Sequence, residues 1–84
     1  MELNRLSEVF KKHKVQNRVL AKHFNKGEDV ISKWRNNKRQ PTISELHEIA
    51  KLLRVDIRTL LNKSDWKDSE AETYKQLEAR VKDK

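Results

Sequence analysis

Leu3, Leu6, Val9 and Phe10 recur at helical spacing, and Arg5, Glu8, Lys11 and Lys12 fall elsewhere on the wheel. The pattern predicts an amphipathic helix over about residues 3–13, with Val15 in a short connection after it. Asn17 is placed to cap a second helix, "RVLAKHF", whose apolar side is Val19 or Leu20 with Ala21 and Phe24. The small Ala21 suits a place where another helix crosses closely. Asn25-Lys26-Gly27 then reads as a turn, because Asn and Gly tolerate left-handed backbone geometry, and Gly27 is acceptable as a helix N-cap. A third helix is expected from 28 to about 36, with Val30, Ile31 and Trp34 facing inward.

"NNKRQP" breaks the periodicity, and Pro41 marks the approach to a fourth helix. Thr42-Ile43-Ser44-Glu45 has capping-box spacing. Ile43, Leu46, Ile49, Ala50 and Leu53 supply the apolar face behind it. Asp56 is placed to cap a short fifth helix carrying Ile57, Leu60 and Leu61. The remainder changes character. "NKSDWKDS" is polar around a lone Trp66, and Ser69-Glu70-Ala71-Glu72 offers another capping box. Ala71, Tyr74, Leu77 and Val81 form a thin stripe on a sixth helix expected over 69–82.

Composition narrows the choice. One Gly and one Pro leave little material for tight turns, so the fold class is all-α and a many-stranded sheet is disfavoured. With 84 residues, 35% apolar and 39% charged, the chain forms one small domain with a modest core. It has no cysteine, which excludes disulfides and cysteine zinc sites. No apolar run is long enough for a signal peptide or membrane span, so a soluble cytoplasmic protein is expected. The net charge of +7 is unevenly spread: residues 1–63 carry 15 Lys/Arg against 7 Asp/Glu, and residues 64–84 carry 5 against 6. A basic body with a neutral tail points to a nucleic acid or another anionic surface.

The run "VQNRVLAKHFNKGEDVISKWR" over residues 15–35 resembles the phage-repressor, Cro-like (XRE-type) helix-turn-helix family of bacterial transcription regulators. Leu20-Ala21, Ile31-Ser32, Trp34, Pro41, Ile49-Ala50, Leu53, Val55 and Leu60-Leu61 carry the resemblance, which covers about residues 3–62. It implies a five-helix lambda-repressor-like domain over 1–62, with 63–84 as an extension bearing an additional C-terminal helix. The turn departs from the family pattern. Asn25 stands where Gly is usual, Lys26 where a small apolar residue is usual, and Gly27 where Ser or Thr caps the recognition helix. Lys26 then requires only that its side chain reach solvent.

At about 100° per residue, Glu28, Asp29, Ser32, Lys33 and Asn36 share the outward side of the third helix. A polar face of that kind can enter a major groove. The resemblance implies base contacts at Glu28, Asp29, Ser32 and Lys33. Lys33 can donate to guanine O6 and N7, and the acids can accept from the cytosine N4 amino group, a good contact giving ~1–3 kcal/mol of discrimination. The acids would then act as selectors. The other reading is that Glu28 and Asp29 only complement the dipole of the first helical turn. Asn17 and Arg18 at the second helix, with Arg35, Asn36, Asn37, Lys38 and Arg39 after the third, resemble the place where the family grips the DNA backbone. Lys38 and Arg39 also fit an ordinary solvated loop.

No other chemistry competes. His13, His23 and His47 lack metal-ligand spacing. No phosphate loop, nucleophile motif or carboxylate pair is visible, so neither an enzyme nor a cofactor is expected. The expected partner is double-stranded DNA. The tail stripe, anchored by Trp66, can pack back on the domain, pair with a second copy as a homodimer, or fray. The rival function is a protein-interaction module on the same scaffold, such as an antitoxin binding its toxin.

Overall fold

The computed structural model describes residues 2–67 and 70–82. Among these residues five α-helices succeed one another: α1 (Leu6–Lys12), α2 (Asn17–Phe24), α3 (Glu28–Arg35), α4 (Ile43–Leu53) and α5 (Tyr74–Lys82), with a 3-10 turn at Ile57–Leu60 between the last two. No strand forms among the described residues; a single antiparallel bridge pairs Asn4 with Leu61. No helix there is long and apolar enough to cross a membrane.

Leu6, Val9, Phe10, Leu20, Ala21, Ile31, Trp34, Leu46, Ile49, Ala50 and Leu60 close into one buried cluster. Val15, Phe24, Val30, Leu53, Val55, Ile57 and Leu61 pack around its edge. α2 lies on α3, α1 touches α3 and the 3-10 turn, and α4 packs on the 3-10 turn. Trp34, nearly inaccessible, meets the edge of Phe24 with ring centroids 5.5 Å apart. Burying each large side chain contributes about 1.5–3 kcal/mol, so a small number of positions fixes how α3 sits.

Helix ends obey local chemistry. Asn25 takes the left-handed conformation (φ 55°) that ends α2, and the Lys26 N–H bonds back to the Ala21 carbonyl at 2.9 Å. Gly27 caps α3 in extended backbone and is not left-handed. The box at α4 forms as expected: the Glu45 N–H donates to Thr42 Oγ1 at 3.1 Å, and the Thr42 N–H to Glu45 Oε1 at 2.8 Å. Asp56 accepts from the Arg58 N–H at 2.8 Å and caps the short fifth helix expected there, which is 3-10 in geometry.

Several expectations are corrected. α1 begins at Leu6, because Leu3 and Asn4 run extended beside Leu61 and Asn62, and Asn4 Oδ1 takes the Leu6 N–H at 2.9 Å. Gln16, and not Asn17, occupies the cap of α2; Asn17 is its first helical residue. Leu20 supplies the apolar face of α2, and Val19 is 58% exposed. Ile43, at the first position of α4, is 68% exposed and lies off the buried face. α5 starts at 74 and not at 69, because Thr73 and Gln76 form a reciprocal box one turn later (2.9 and 3.3 Å). Ala71 precedes that helix, and Ser69 lies outside the described residues. The stripe residues Tyr74, Leu77 and Val81, with Trp66, are exposed, and α5 does not pack on the other helices.

Candidate nucleic-acid interface

α3 is pinned by Ile31 and Trp34, which leaves its opposite side to solvent. Glu28, Asp29, Lys33 and Asn36 are exposed there, and Ser32 is half-buried between them. The four positions read as base-contacting are therefore brought together on one face. Glu28 and Lys33 make no side-chain hydrogen bond or ion pair among the described residues, so both are unengaged. Asp29 is different: its carboxylate lies over the Gly27 Cα, in space a side chain at Gly27 would occupy. That places negative charge at the start of α3, where the helix dipole favours it. Asn36 Nδ2 approaches Ser32 Oγ at 3.4 Å, one turn away on the same face.

The residues expected to grip the DNA backbone divide into two groups. Arg18, Lys38 and Arg39 are exposed. Arg18 Nε donates to Gln16 Oε1 at 3.1 Å, while Lys38 and Arg39 have no side-chain partner among the described residues. Their backbone is fixed even so, because both N–H groups bond to the Lys33 carbonyl, at 2.9 and 3.2 Å. Asn17, Arg35 and Asn37 are half-buried and engaged inside the molecule. Arg35 donates to Asn17 at 2.8 Å and stacks over the Phe10 ring. Asn37 is left-handed (φ 59°), and its Oδ1 accepts from the backbone of Leu3 and Asn4.

A polar hub that the spacing of residues does not reveal holds the loop after α3. Asn4 is 3% exposed, a polar residue in the core. Its Nδ2 donates to the Trp34 carbonyl and to Gln40 Oε1, both at 2.8 Å. Asn37 Nδ2 and Asn62 Nδ2 both reach the Asn4 carbonyl, at 3.0 and 3.3 Å. A buried polar group is tolerated when it is bonded, and no buried side-chain polar atom among the described residues lacks a partner. Asn4, Gln40 and Asn62 thus hold the loop beside the candidate face without having been read as part of it. The nearest signal in the sequence is an Asn close to apolar residues. On the other flank, Lys26 of the turn reaches Glu45 of α4 at 3.5 Å. Burial pushes the Glu45 carboxyl up, but the Thr42 N–H and hydroxyl and the Lys26 ammonium outweigh it and hold the group below its ordinary value.

These helices and this turn are those of a known class of DNA-binding domain. The model of the Cro/C1-type HTH DNA-binding domain matches residues 5–65, and the chain belongs to that family. Its fold is similar to a crystal structure described as a "putative DNA-binding protein" from Bacteroides fragilis, at 44% identity and TM-score 0.68, covering 74% of this chain and all of that one. No protein of curated function matches. Among the described residues, no group of three or more His, Cys, Asp or Glu side chains is arranged to hold a metal; His23 bonds instead to Glu48 at 2.8 Å.

Proposed function

We propose that the chain is a sequence-specific double-stranded DNA-binding transcription regulator of the repressor type, without catalytic activity, working in the cytoplasm. The observation that carries this is the solvent face of α3. Lys33 and Glu28 stand free on it beside the bonded pair Ser32 and Asn36, while Ile31 and Trp34 seal the other side. In this reading α3 enters the major groove. Lys33 donates to guanine, Ser32 and Glu28 select among bases, and Asp29 divides its role between helix stability and base choice. Arg18, Lys38 and Arg39, with Asn17 and the loop at Asn36 and Asn37, hold the phosphates. Selection from random duplexes, repeated with Glu28→Gln and Asp29→Asn, tests it. A changed preferred site is expected for Glu28→Gln. Failure of the folded protein to hold any duplex at low salt refutes the reading.

Residues 63–84 act as a separate extension beyond the domain at 1–62. The exposed stripe of Tyr74, Leu77 and Val81 supports pairing of α5 with its mate in a second copy, since a helix of this length is marginal alone. A homodimer would address half-sites about 34 Å apart. The same stripe favours a second reading, in which α5 docks a toxin and the chain is its antitoxin. Light scattering separates them: a dimer of the isolated chain supports pairing, and a monomer that captures a ribonuclease-like protein encoded beside it supports the second.

A further inference from the structure

Arg35 is held from two sides. Its guanidinium carbon lies 5.3 Å from the centroid of the Phe10 ring, and one terminal nitrogen donates to Asn17 Oδ1 at 2.8 Å. A guanidinium has donors only, so the Asn17 atom that faces it must be the oxygen. The amide nitrogen is thereby turned away from Arg35. It has no partner among the described residues, and no partnerless side-chain polar atom there is buried, so it reaches solvent at the first residue of α2.

We propose that Arg35 is a positioning residue for the DNA backbone: it locks the Asn17 amide so that its NH2 group is offered to a phosphate, and it does not take that phosphate itself. This rests on the reading of the start of α2 as part of the backbone grip. The sequence presents Asn17 and Arg35 as two independent phosphate ligands; the geometry makes them a single device with one neutral donor. An unrestrained Asn turns either its nitrogen or its oxygen outward, and an oxygen facing a phosphate is repelled. Fixing the flip in advance removes that loss. The Phe10 ring beneath the guanidinium carbon favours a delocalised cation there, a role for which the compact ammonium of lysine is less suited.

The test is fluorescence-anisotropy titration of a random-sequence duplex of about two helical turns over a series of salt concentrations, with circular dichroism to verify folding. Arg35→Met is expected to weaken binding about tenfold without changing the slope of log K against log salt. It should cost nothing further when Asn17→Ala is already present. Arg35→Lys should lose about as much despite keeping its charge. A slope shallower by about 0.9 in Arg35→Met, losses that multiply in the double variant, or wild-type binding by Arg35→Lys overturns the proposal. Should Arg35→Met unfold, Asn17→Asp decides. It keeps a partner for Arg35 and hence the melting temperature, but it replaces the donor with a carboxylate. A loss above tenfold supports the proposal, and unchanged affinity overturns it. No binding by the wild-type chain overturns the DNA reading and this inference together, whereas wild-type binding with additive losses overturns this inference alone.

Discussion

Asn37 Oδ1 accepts the backbone N–H of Asn4 at 2.9 Å, and takes that of Leu3 at the same distance. Asn37 does two jobs at once. Its backbone is left-handed, which turns the chain out of α3, and its side chain supplies the acceptor that ties the N-terminal segment to the loop. Asn is one of few residues suited to both. Asn37→Gly keeps the backbone and removes the bonds, so a loss of about 1–2 kcal/mol is expected in urea unfolding. Asn37→Ala adds left-handed strain and should lose about 1 kcal/mol more. Equal losses in the two variants would show that the strain contributes nothing.

Glu45 sets a pH dependence. Its pKa is lower folded than unfolded, with Thr42 and Lys26 outweighing burial. Its contribution is therefore fully present above the unfolded value of about 4.3 and disappears as the pH falls through the folded value. Wild-type stability should drop more than that of Glu45→Gln over this acidic window. Lys26→Met should shrink the drop, because the folded value then lies closer to the unfolded one. Parallel curves for wild type and Glu45→Gln would rule the group out.

Among the described residues, the chain turns three further corners on side-chain-bearing residues. Lys14, Asn25 and Arg54 have φ between 55° and 56°, and its single glycine is not left-handed. For Lys and Arg this conformation costs about 1–2 kcal/mol, and the extra unfolded-state freedom of glycine offsets part of what a replacement would gain. Arg54→Gly and Lys14→Gly are each expected to stabilise by about 0.5–1 kcal/mol, read as a rise in Tm. A fall in Tm would mean that these side chains make contributions absent from their visible contacts.

The two tryptophans report on different parts of the molecule. Trp34 is at 1% exposure and Trp66 at 73%. Iodide should quench only one component of the fluorescence, and Trp66→Phe should abolish that component without changing Tm. Trp34→Ala should cost about 3–5 kcal/mol, a large part of what a domain of this size has. Loss of cooperative unfolding on changing Trp66 would place the extension in the core instead.

Much of this fold is legible because its cues are local. Thr42 and Glu45 are three residues apart, the turn at Asn25 is short, and Ile31 and Trp34 share a face by periodicity alone. The outward set of α3 comes from the same arithmetic. Most of the features that escape are long-range. Leu3 and Asn4 continue a helical pattern until Leu61 and Asn62 offer them backbone partners from the far end of the body. Periodicity makes Ile43 apolar-facing, yet at the first position of α4 its side chain stays exposed. Ser69 and Thr73 both head acceptable boxes, and Gln76 makes the later one. Asn17, Arg35 and Asn37 read as surface donors because Phe10, Asn4 and Leu3 are brought near them only by tertiary folding, which also sets Asn17 and Arg35 against each other.

The bridge between Asn4 and Leu61, extended by the Asn62 N–H to the Leu3 carbonyl at 3.0 Å and by Asn62 Nδ2 to the Glu2 carbonyl at 2.9 Å, has a topological effect. The two ends of the helical body are zipped into a nearly closed ring. A short peptide joining 63 back to 2 would span almost no distance, so the body is a natural candidate for circular permutation. By the same geometry, a tag fused at the front and the segment leaving at the back begin as close neighbours, and a bulky fusion at one end will crowd whatever hangs from the other.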